Sequence, residues 1–407
     1  MGSTRDITDI LVIGAGATGL AAALALARTG RSVTLVGRPE SAANGRTVAM
    51  LEGSLRLMQN LGVLESMRAD LAALETMRIV DDTGSLFRTP PVEFRAHEIG
   101  LDLFGENIEN IRLVAHLAQA ARREPNLTFL EDIVTSIDLK DLDGHVTTAG
   151  GRSLSARLLV AADGRKSRLR AAANIATREW SYRQEALTFL LQHDKPHRDT
   201  STEFHTRQGP FTLVPLPASA EARHRSSLVW LMSPEEARRR RALDDASLVR
   251  EIERQAHHIL GRMCLEPARG GFAMTGMTAR SLSARRVVLI GDAAHGFPPI
   301  GAQGLNLGLR DAAHLADCLA GDEDPGSEEV LARYEAARQG DIRLRTLGVD
   351  LLNRSLLTPF APVDALRGLG LTALAKITPL RRMAMREGVM PRGSAPSLMR
   401  LQGAKSL

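Results

Sequence analysis

Residues 9–36 constrain the fold more than any other stretch. Asp9 to Ile13 is a short apolar run that breaks into Gly14-Ala15-Gly16-Ala17-Thr18-Gly19. Leu20 to Arg28, rich in alanine and leucine, follows and stops at Gly30, and Ser32 to Val36 is a second apolar run. Strand, glycine loop, helix and strand in that order form a βαβ unit. In such a unit Gly14 makes the turn, Gly16 lets the backbone approach a pyrophosphate, and Gly19 permits close helix packing. The chain is therefore expected to bind a dinucleotide. The acid that usually ends the second strand, to hold ribose hydroxyls, is missing: the strand closes on Val36-Gly37-Arg38. Arg38 would suit a 2′-phosphate, and Glu40 is the other group that could reach a ribose.

A second stretch, Arg285 to Asp311, reads as a buried β-branched strand to Ile290, a loop carrying Gly291-Asp292-Ala293-Ala294-His295, two prolines (Pro298, Pro299), and a helix starting near Gly304. Asp292 can accept hydrogen bonds from the hydroxyls of a sugar-like chain. The free N–H groups of the helix start favour an electron-rich ring. A third junction, Leu158 to Ala162 running into Asp163-Gly164-Arg165, again places an acid at a strand tip, with Ser167 and Arg170 opening the next helix. Arg46, in the loop Asn44 to Ala49, is a partner for a phosphate or a ring carbonyl.

Between these junctions the texture changes. Glu75 to Phe94 reads as a hairpin about Asp81 to Gly84, an excursion into a second sheet. Arg178 to Gly271 alternates strands (186–192, 202–206, 211–216, 226–231) with two arginine-rich helices. Phe211, Leu213, Pro215 and Trp230 are candidate pocket walls. Asp292 and the helix start near Gly304 both fit a flavin, so the fold class expected is α/β: a Rossmann-like FAD-binding domain with an inserted β-sheet substrate domain and a helical C-terminal tail. The expected boundaries are 1–74, 104–177 and 272–345 for a discontinuous FAD-binding domain, 75–103 and 178–271 for the substrate domain, and 346–407 for the C-terminal helical region.

Composition excludes several alternatives. The 407 residues allow about two to three domains. The net charge of +5, from 52 basic and 47 acidic residues, is spread along the chain, and the one tight basic run, Arg238 to Arg241, reads as a solvated helix face rather than a nucleic-acid site. Cys264 and Cys318 have no metal-ligand or disulfide spacing and are expected to be core fillers in a reducing compartment. The polar stretch Met1 to Asp9 carries no signal-peptide pattern, and no apolar run reaches membrane-spanning length. The expected location is cytoplasmic, or peripheral at the inner membrane. Leu366 to Arg386 alternates apolar residues with Arg367, Lys376, Arg381, Arg382 and Arg386, a texture shared by packed helices and interfacial ones. No Gly-x-Ser-x-Gly or His-Glu-x-x-His occurs, so hydrolase readings drop out.

The three motifs, Gly14 to Gly19, Asp163-Gly164, and Gly291-Asp292 with the run to Asp311, resemble in this order the FAD-dependent aromatic-ring monooxygenases of the para-hydroxybenzoate hydroxylase type. Within them, Gln303 to Asp311 (Gln-Gly-Leu-Asn-Leu-Gly-Leu-Arg-Asp) is similar to the signature of the ubiquinone-biosynthesis (2-polyprenylphenol) hydroxylases. The resemblance implies FAD, with NADPH or NADH as reductant and O2 as co-substrate, and hydroxylation of an electron-rich phenol through a flavin hydroperoxide. It gives Gly14, Gly16 and Gly19 to the pyrophosphate, Arg46 to the flavin region, Asp163 to the NADPH/FAD loop, Gly291 and Asp292 to the ribityl chain, and Gly301, Gly304 and Asn306 to the ring. It implies no metal and no obligatory side-chain acid or base. His295 is a candidate proton relay or a structural histidine, and Pro298 lies by the substrate pocket. Two departures stand out: Gly37 in place of an acid, and Pro298-Pro299-Ile300-Gly301-Ala302 in place of His-Pro-Ile-Ala-Gly. The implied partner is a lipophilic phenol, with the C-terminal helices as a peripheral membrane or biosynthetic-complex contact and no nucleic acid. A hydroxylase of a small soluble aromatic compound, and a non-catalytic nucleotide-binding scaffold of a biosynthetic complex, are the competing readings.

Overall fold

The computed structural model describes residues 7–84, 90–296, 302–321, 324–357, 370, 373–374, 376–389 and 395–400. Its first sheet runs, edge to edge, Ser283–Ala284, Val287–Leu289, Ser153–Ala161, β1 (Ile7–Ile13), β2 (Val33–Val36) and Leu127–Leu130. The five strands from Val287–Leu289 to Leu127–Leu130 are parallel. A hairpin, Val134–Leu139 with Gly144–Thr148, adds antiparallel to Ser153–Ala161. Helix α1 (Ala17–Ala27) is apolar all round because it is buried all round: its alanines and leucines favour helix and leave a thin surface for close packing. It lies against α3 (Asn110–Ala121) and α7 (Gln303–Cys318).

Register explains why motifs spread over nearly 300 residues can act together. Ile13 pairs with Ala161 and Val36, and Ala161 pairs with Leu289. The Gly14, Gly37, Asp163 and Gly291 loops therefore leave adjacent strands at one edge of the sheet, where ligands bind in open parallel sheets.

The second sheet is ordered His295–Gly296, Met263–Ala279, Thr177–His193, Arg225–Met232, Gly209–Leu216, Thr200–Thr206, Thr76–Asp81 and Val92–Arg95. The expected excursion is present as the antiparallel pair Thr76–Asp81 with Val92–Arg95. It joins through parallel pairing with Thr200–Thr206. One face is covered by α5 (Pro234–Arg241) and α6 (Asp245–Gln255), which bury Ala237, Leu248 and Ile252 against Leu187, Phe189, Phe211 and Trp230. The basic run Arg238 to Arg241 is the last turn of α5. It complements the helix dipole opposite Glu235 and Glu236, and Arg239 and Arg240 pair with Glu236 and Glu251.

The other face meets a three-stranded sheet (Thr47–Leu51, Gly105–Glu109, Ala72–Leu74) and α8 (Glu328–Leu357). Thr47 Oγ1 lies 2.8 Å from Ser227 Oγ, Tyr182 donates to Asp350 at 2.8 Å, and Asn353 donates to Gln184 at 3.2 Å. Two further helices are α2 (Glu52–Asn60) and α4 (Arg168–Ala172), and α9 (Thr378–Val389) packs Met385 and Val389 beside Phe94 and Phe104. Cys318 is buried, but Cys264 is exposed, because it sits near the start of the long strand Met263–Ala279 with its side chain outward; only Cys318 is a core filler.

Candidate active site

The glycine loop is shaped by contacts that admit no side chain at two of its three glycines. Gly14 has φ +117°, and a Cβ there would lie inside contact distance of Ala162 O and 2.8 Å from Asp163 N. A Cβ at Gly19 would overlap Gly14 O and lie 3.0 Å from Ala162 Cβ. At Gly16, the N-cap of α1, a Cβ would meet nothing within 4 Å, and no side chain caps the helix. The protein leaves open space and unsatisfied N–H groups there, the arrangement that receives phosphate.

The two acidic junctions are locked to each other. Asp163 Oδ2 accepts from Arg168 N at 2.8 Å and Leu169 N at 3.4 Å, whereas its buried Oδ1 has no partner among the described residues. Arg170 donates to Ala293 O at 2.9 Å and Arg165 O at 2.7 Å, and Arg165 reaches Thr275 while lying 3.6 Å from Asp292 Oδ2. Asp292 itself is half exposed (52%). The Gly291 turn (φ +55°) is pressed against Thr18 of α1, and a Cβ at Gly308 of α7 would fall 2.7 Å from Thr18 Oγ1 and 3.1 Å from Gly291 Cα. The helix behind the glycine loop, the Asp292 turn and α7 thus meet at one close-packed point.

A single buried carboxylate secures that arrangement. Asp311 Oδ2 accepts from Gly291 N at 2.9 Å and from His295 Nε2 at 2.6 Å, and its Oδ1 accepts from Arg338 Nε at 2.8 Å. Burial alone would raise this carboxyl, but His295 and Arg338 beside it hold it below the usual range. Arg338 continues to Asp341, which also accepts from Arg310 and Arg345. His295, a candidate proton relay from sequence, is fully buried in this network.

The other expected site residues fall as follows. Asn306 accepts from Leu51 N and Ser54 Oγ and donates to Ala49 O and Ala302 O, so its amide ties the first turn of α7 to the strand and helix beside it. Gly304 has open space at its Cβ position, and the α7 start has no side-chain cap. Arg46 is exposed, its guanidinium 5.6 Å from the Phe272 ring. Phe211 and Trp230 stack edge to face at 5.1 Å in the core under α5, on the face turned away from α8; Pro215 follows Phe211 and Leu213 on the same strand parity, and its carbonyl accepts from Asn107. The opposite face carries Tyr182, Ala186, Leu231 and Met274 with Trp180, Val229 and Phe272. Pro298 and Gly301 lie outside the described residues. The sequence reading missed Arg165 as a bridge between the acidic loops and Asp311 as their anchor; Asp311 sits within the quoted signature, but its partners lie 20 residues before it and 27 after it.

The missing acid at position 37 has a steric cause. A Cβ there would overlap Ala15 N and fall 2.8 Å from Ala15 Cβ. Glu40, three residues on, is instead held by Asn44 and Asn110, each donating at 2.6 Å. Gly37→Glu, which restores the customary acid, is expected to destabilise the protein by about 2 kcal/mol or more through overpacking, and not to tighten FAD binding. Urea unfolding and a flavin titration check the two parts separately.

A pH effect follows from the same region. Burial, reinforced by Arg338, pushes the His314 imidazole down to about 4. The unfolded chain, titrating near 6.5, then binds the extra proton between about pH 6.5 and 4, so this contribution is intact above 6.5 and is lost on acidification toward 4. His314→Gln should flatten that limb by up to about 3 kcal/mol. His193 and His197 are lowered by burial as well, so the comparison is wild type against variant across the window.

The open Gly16 position, the uncapped start of α1 and the orphaned Asp163 oxygen fit a flavin dinucleotide. The comparisons with known proteins agree. The FAD binding domain family model matches residues 7–343. The chain is 32% identical to the ubiquinone hydroxylase UbiL of Rhodospirillum rubrum over 98% of this chain and 94% of that protein. It is 30% identical to the 3-demethoxyubiquinol 3-hydroxylase of Escherichia coli over 94% of this chain and 98% of that one. The solved p-nitrophenol 4-monooxygenase PnpA of Pseudomonas putida shares the fold with a TM-score of 0.78 at 18% identity, covering 96% of this chain and 100% of that structure. The chain belongs to the FAD binding domain family, as an FAD-dependent aromatic-ring monooxygenase of the branch that contains the ubiquinone hydroxylases.

Proposed function

We propose that this protein hydroxylates the ring of a polyprenylated phenol in ubiquinone biosynthesis. The observation that carries the choice of substrate is the apolar cluster on the sheet face turned toward α8, Ala186, Val229, Leu231, Phe272 and Met274 beside Trp180 and Tyr182, on a face whose buried polar groups, Gln184, Thr188 and Ser227, are uncharged. Such a surface suits a prenyl chain and a phenol ring, whereas a small aromatic acid calls for a buried cation. The names of the relatives support the same choice.

In this reading residues 1–74, 104–177 and 272–345 hold the cofactor, 75–103 and 178–271 cover the substrate, and 346–407 form the C-terminal helical region. FAD, when bound, supplies electron transfer from NADPH or NADH and activation of O2. The start of α1 at Gly16 would hold the pyrophosphate, Asp163 would offer its free oxygen to the same loop, and Asp292 would accept from the ribityl hydroxyls. The uncapped start of α7, at Gly304, would stabilise negative charge on the ring system. Arg165, Arg170 and Asp311 would fix these groups relative to one another. His295 would act as a positioning residue through Asp311. The apolar sheet face would exclude water from the reacting ring. The proposed partners are the lipophilic phenol and, through the C-terminal helices, a membrane or an assembly at one.

The test is a flavin-perturbation titration of the FAD-loaded protein with a short-chain prenylated phenol and with para-hydroxybenzoate. Burying several more methylenes predicts at least about tenfold tighter binding of the prenylated compound. Tighter binding of the soluble acid would favour the small-aromatic reading.

A further inference from the structure

Six of the ten large apolar side chains that stand exposed among the described residues fall on two helical segments. Leu344, Leu347 and Leu351 are 61%, 57% and 58% exposed on α8, spaced so that they share one stripe. Ile377, Leu380 and Met383 repeat the pattern at the start of α9, at spacings of three. The segments are joined where Arg345 of α8 donates to Glu387 O of α9 at 3.2 Å. Stripes of this kind on a folded surface mark something that covers them.

The charges around the stripes identify what does. Arg343, Lys376, Arg382 and Arg386 are all exposed on the same two segments. The acids on these stretches, 341–351 and 376–389, are engaged: Asp341 with Arg310, Arg338 and Arg345, Asp350 with Tyr182, and Glu387 with Arg345. An apolar stripe with a basic fringe matches an anionic lipid surface, where leucines enter the acyl boundary and arginines meet phosphates. No helix of the described residues is long and apolar enough to cross a membrane, so the contact would be peripheral.

We infer that α8 and α9 form a docking surface for anionic phospholipid. The placement rests on, and deepens, the reading of a lipophilic substrate. On its inner side α8 presents Asp350 and Asn353 to Tyr182 and Gln184 of the sheet that covers the site, so one helix would carry both the lipid contact and part of the substrate enclosure.

The experiment is flotation of the full-length FAD-loaded protein with phosphatidylcholine vesicles, with and without phosphatidylglycerol. Wild type is expected to float with the anionic vesicles and to be released by high salt. Leu344→Gln/Leu347→Gln/Leu351→Gln and Ile377→Gln/Leu380→Gln/Met383→Gln should each lower the partition coefficient about tenfold or more. Arg382→Glu/Arg386→Glu should do the same on anionic vesicles only. Leu142→Gln, more exposed than any stripe residue but elsewhere, should change nothing. The inference is overturned if wild type fails to float, if it ignores lipid charge, or if the stripe variants bind unchanged. It is also overturned if the stripe variants convert a dimer to a monomer in light scattering, because a second copy would then be the occupant. Turnover of a detergent-soluble prenylated phenol, measured in parallel, separates failure of the docking from failure of the substrate assignment: the stripe variants should retain it.

Discussion

Gly16→Ala should leave the apoprotein within about 1 kcal/mol of the wild-type stability while weakening FAD binding by about a hundredfold. The first part follows because a methyl group at this N-cap meets nothing within 4 Å, so the cost is a modest loss of capping preference. The second follows because that empty space is where the pyrophosphate must approach the backbone, and losing those contacts costs about 2–3 kcal/mol. Gly19→Ala should behave differently. Its Cβ would overlap Gly14 O and crowd Ala162, forcing α1 away from β1 and destabilising the protein by about 3 kcal/mol or more with or without cofactor. Thermal unfolding of both apoproteins, followed by quenching titrations with FAD, separates a ligand-facing glycine from a packing glycine. A Gly16→Ala protein that binds FAD normally would remove the glycine loop from the cofactor site.

The second large effect is expected at Asp311. Replacing it with alanine takes their shared acceptor from Arg338 and His295, each 1% exposed, leaves Arg338 with Asp341 as its remaining carboxylate, and frees the Gly291 N–H. Removing one partner of a buried ion pair typically costs about 3–5 kcal/mol. Because the loss includes the anchor of the Asp292 turn, FAD retention should fall in step with stability. Asp311→Leu/Arg338→Met should recover much of the stability, since it removes the charge that has lost half of its pairing, but should not recover FAD affinity, since Gly291 and His295 still lack the Asp311 carboxylate. Chemical denaturation with parallel flavin titrations reads both quantities. Equal stability of the single and double variants would show that the charge is not the source of the cost.

These cases show which parts of the site were legible in the chain. Gly14, Gly16 and Gly19 were readable because their roles depend on local spacing within one strand-loop-helix unit. The convergence of Asp163 and Asp292 on that loop depends on strand order, which the motifs implied only through resemblance, and on the register Ile13–Ala161–Leu289. The Asp311 network was not readable, since its partners come from a turn, a strand end and a separate helix. The absence of an acid at position 37 was plain, but its cause, the approach of Ala15, is a through-space fact. Alternation in Gly209–Leu216 and Arg225–Met232 identified Phe211 and Trp230 as inward residues. It could not say which side of the sheet was inward, and α5 and α6 build a second core on the side away from α8.

The most direct measurement is aerobic turnover of the FAD-loaded protein with NADPH and a prenylated phenol under ¹⁸O-labelled dioxygen, with the organic product analysed by mass spectrometry. The account predicts a product carrying one labelled oxygen atom on the ring, dependent on both FAD and NADPH. NADPH oxidation matched by hydrogen peroxide, with the phenol recovered unchanged, would contradict it.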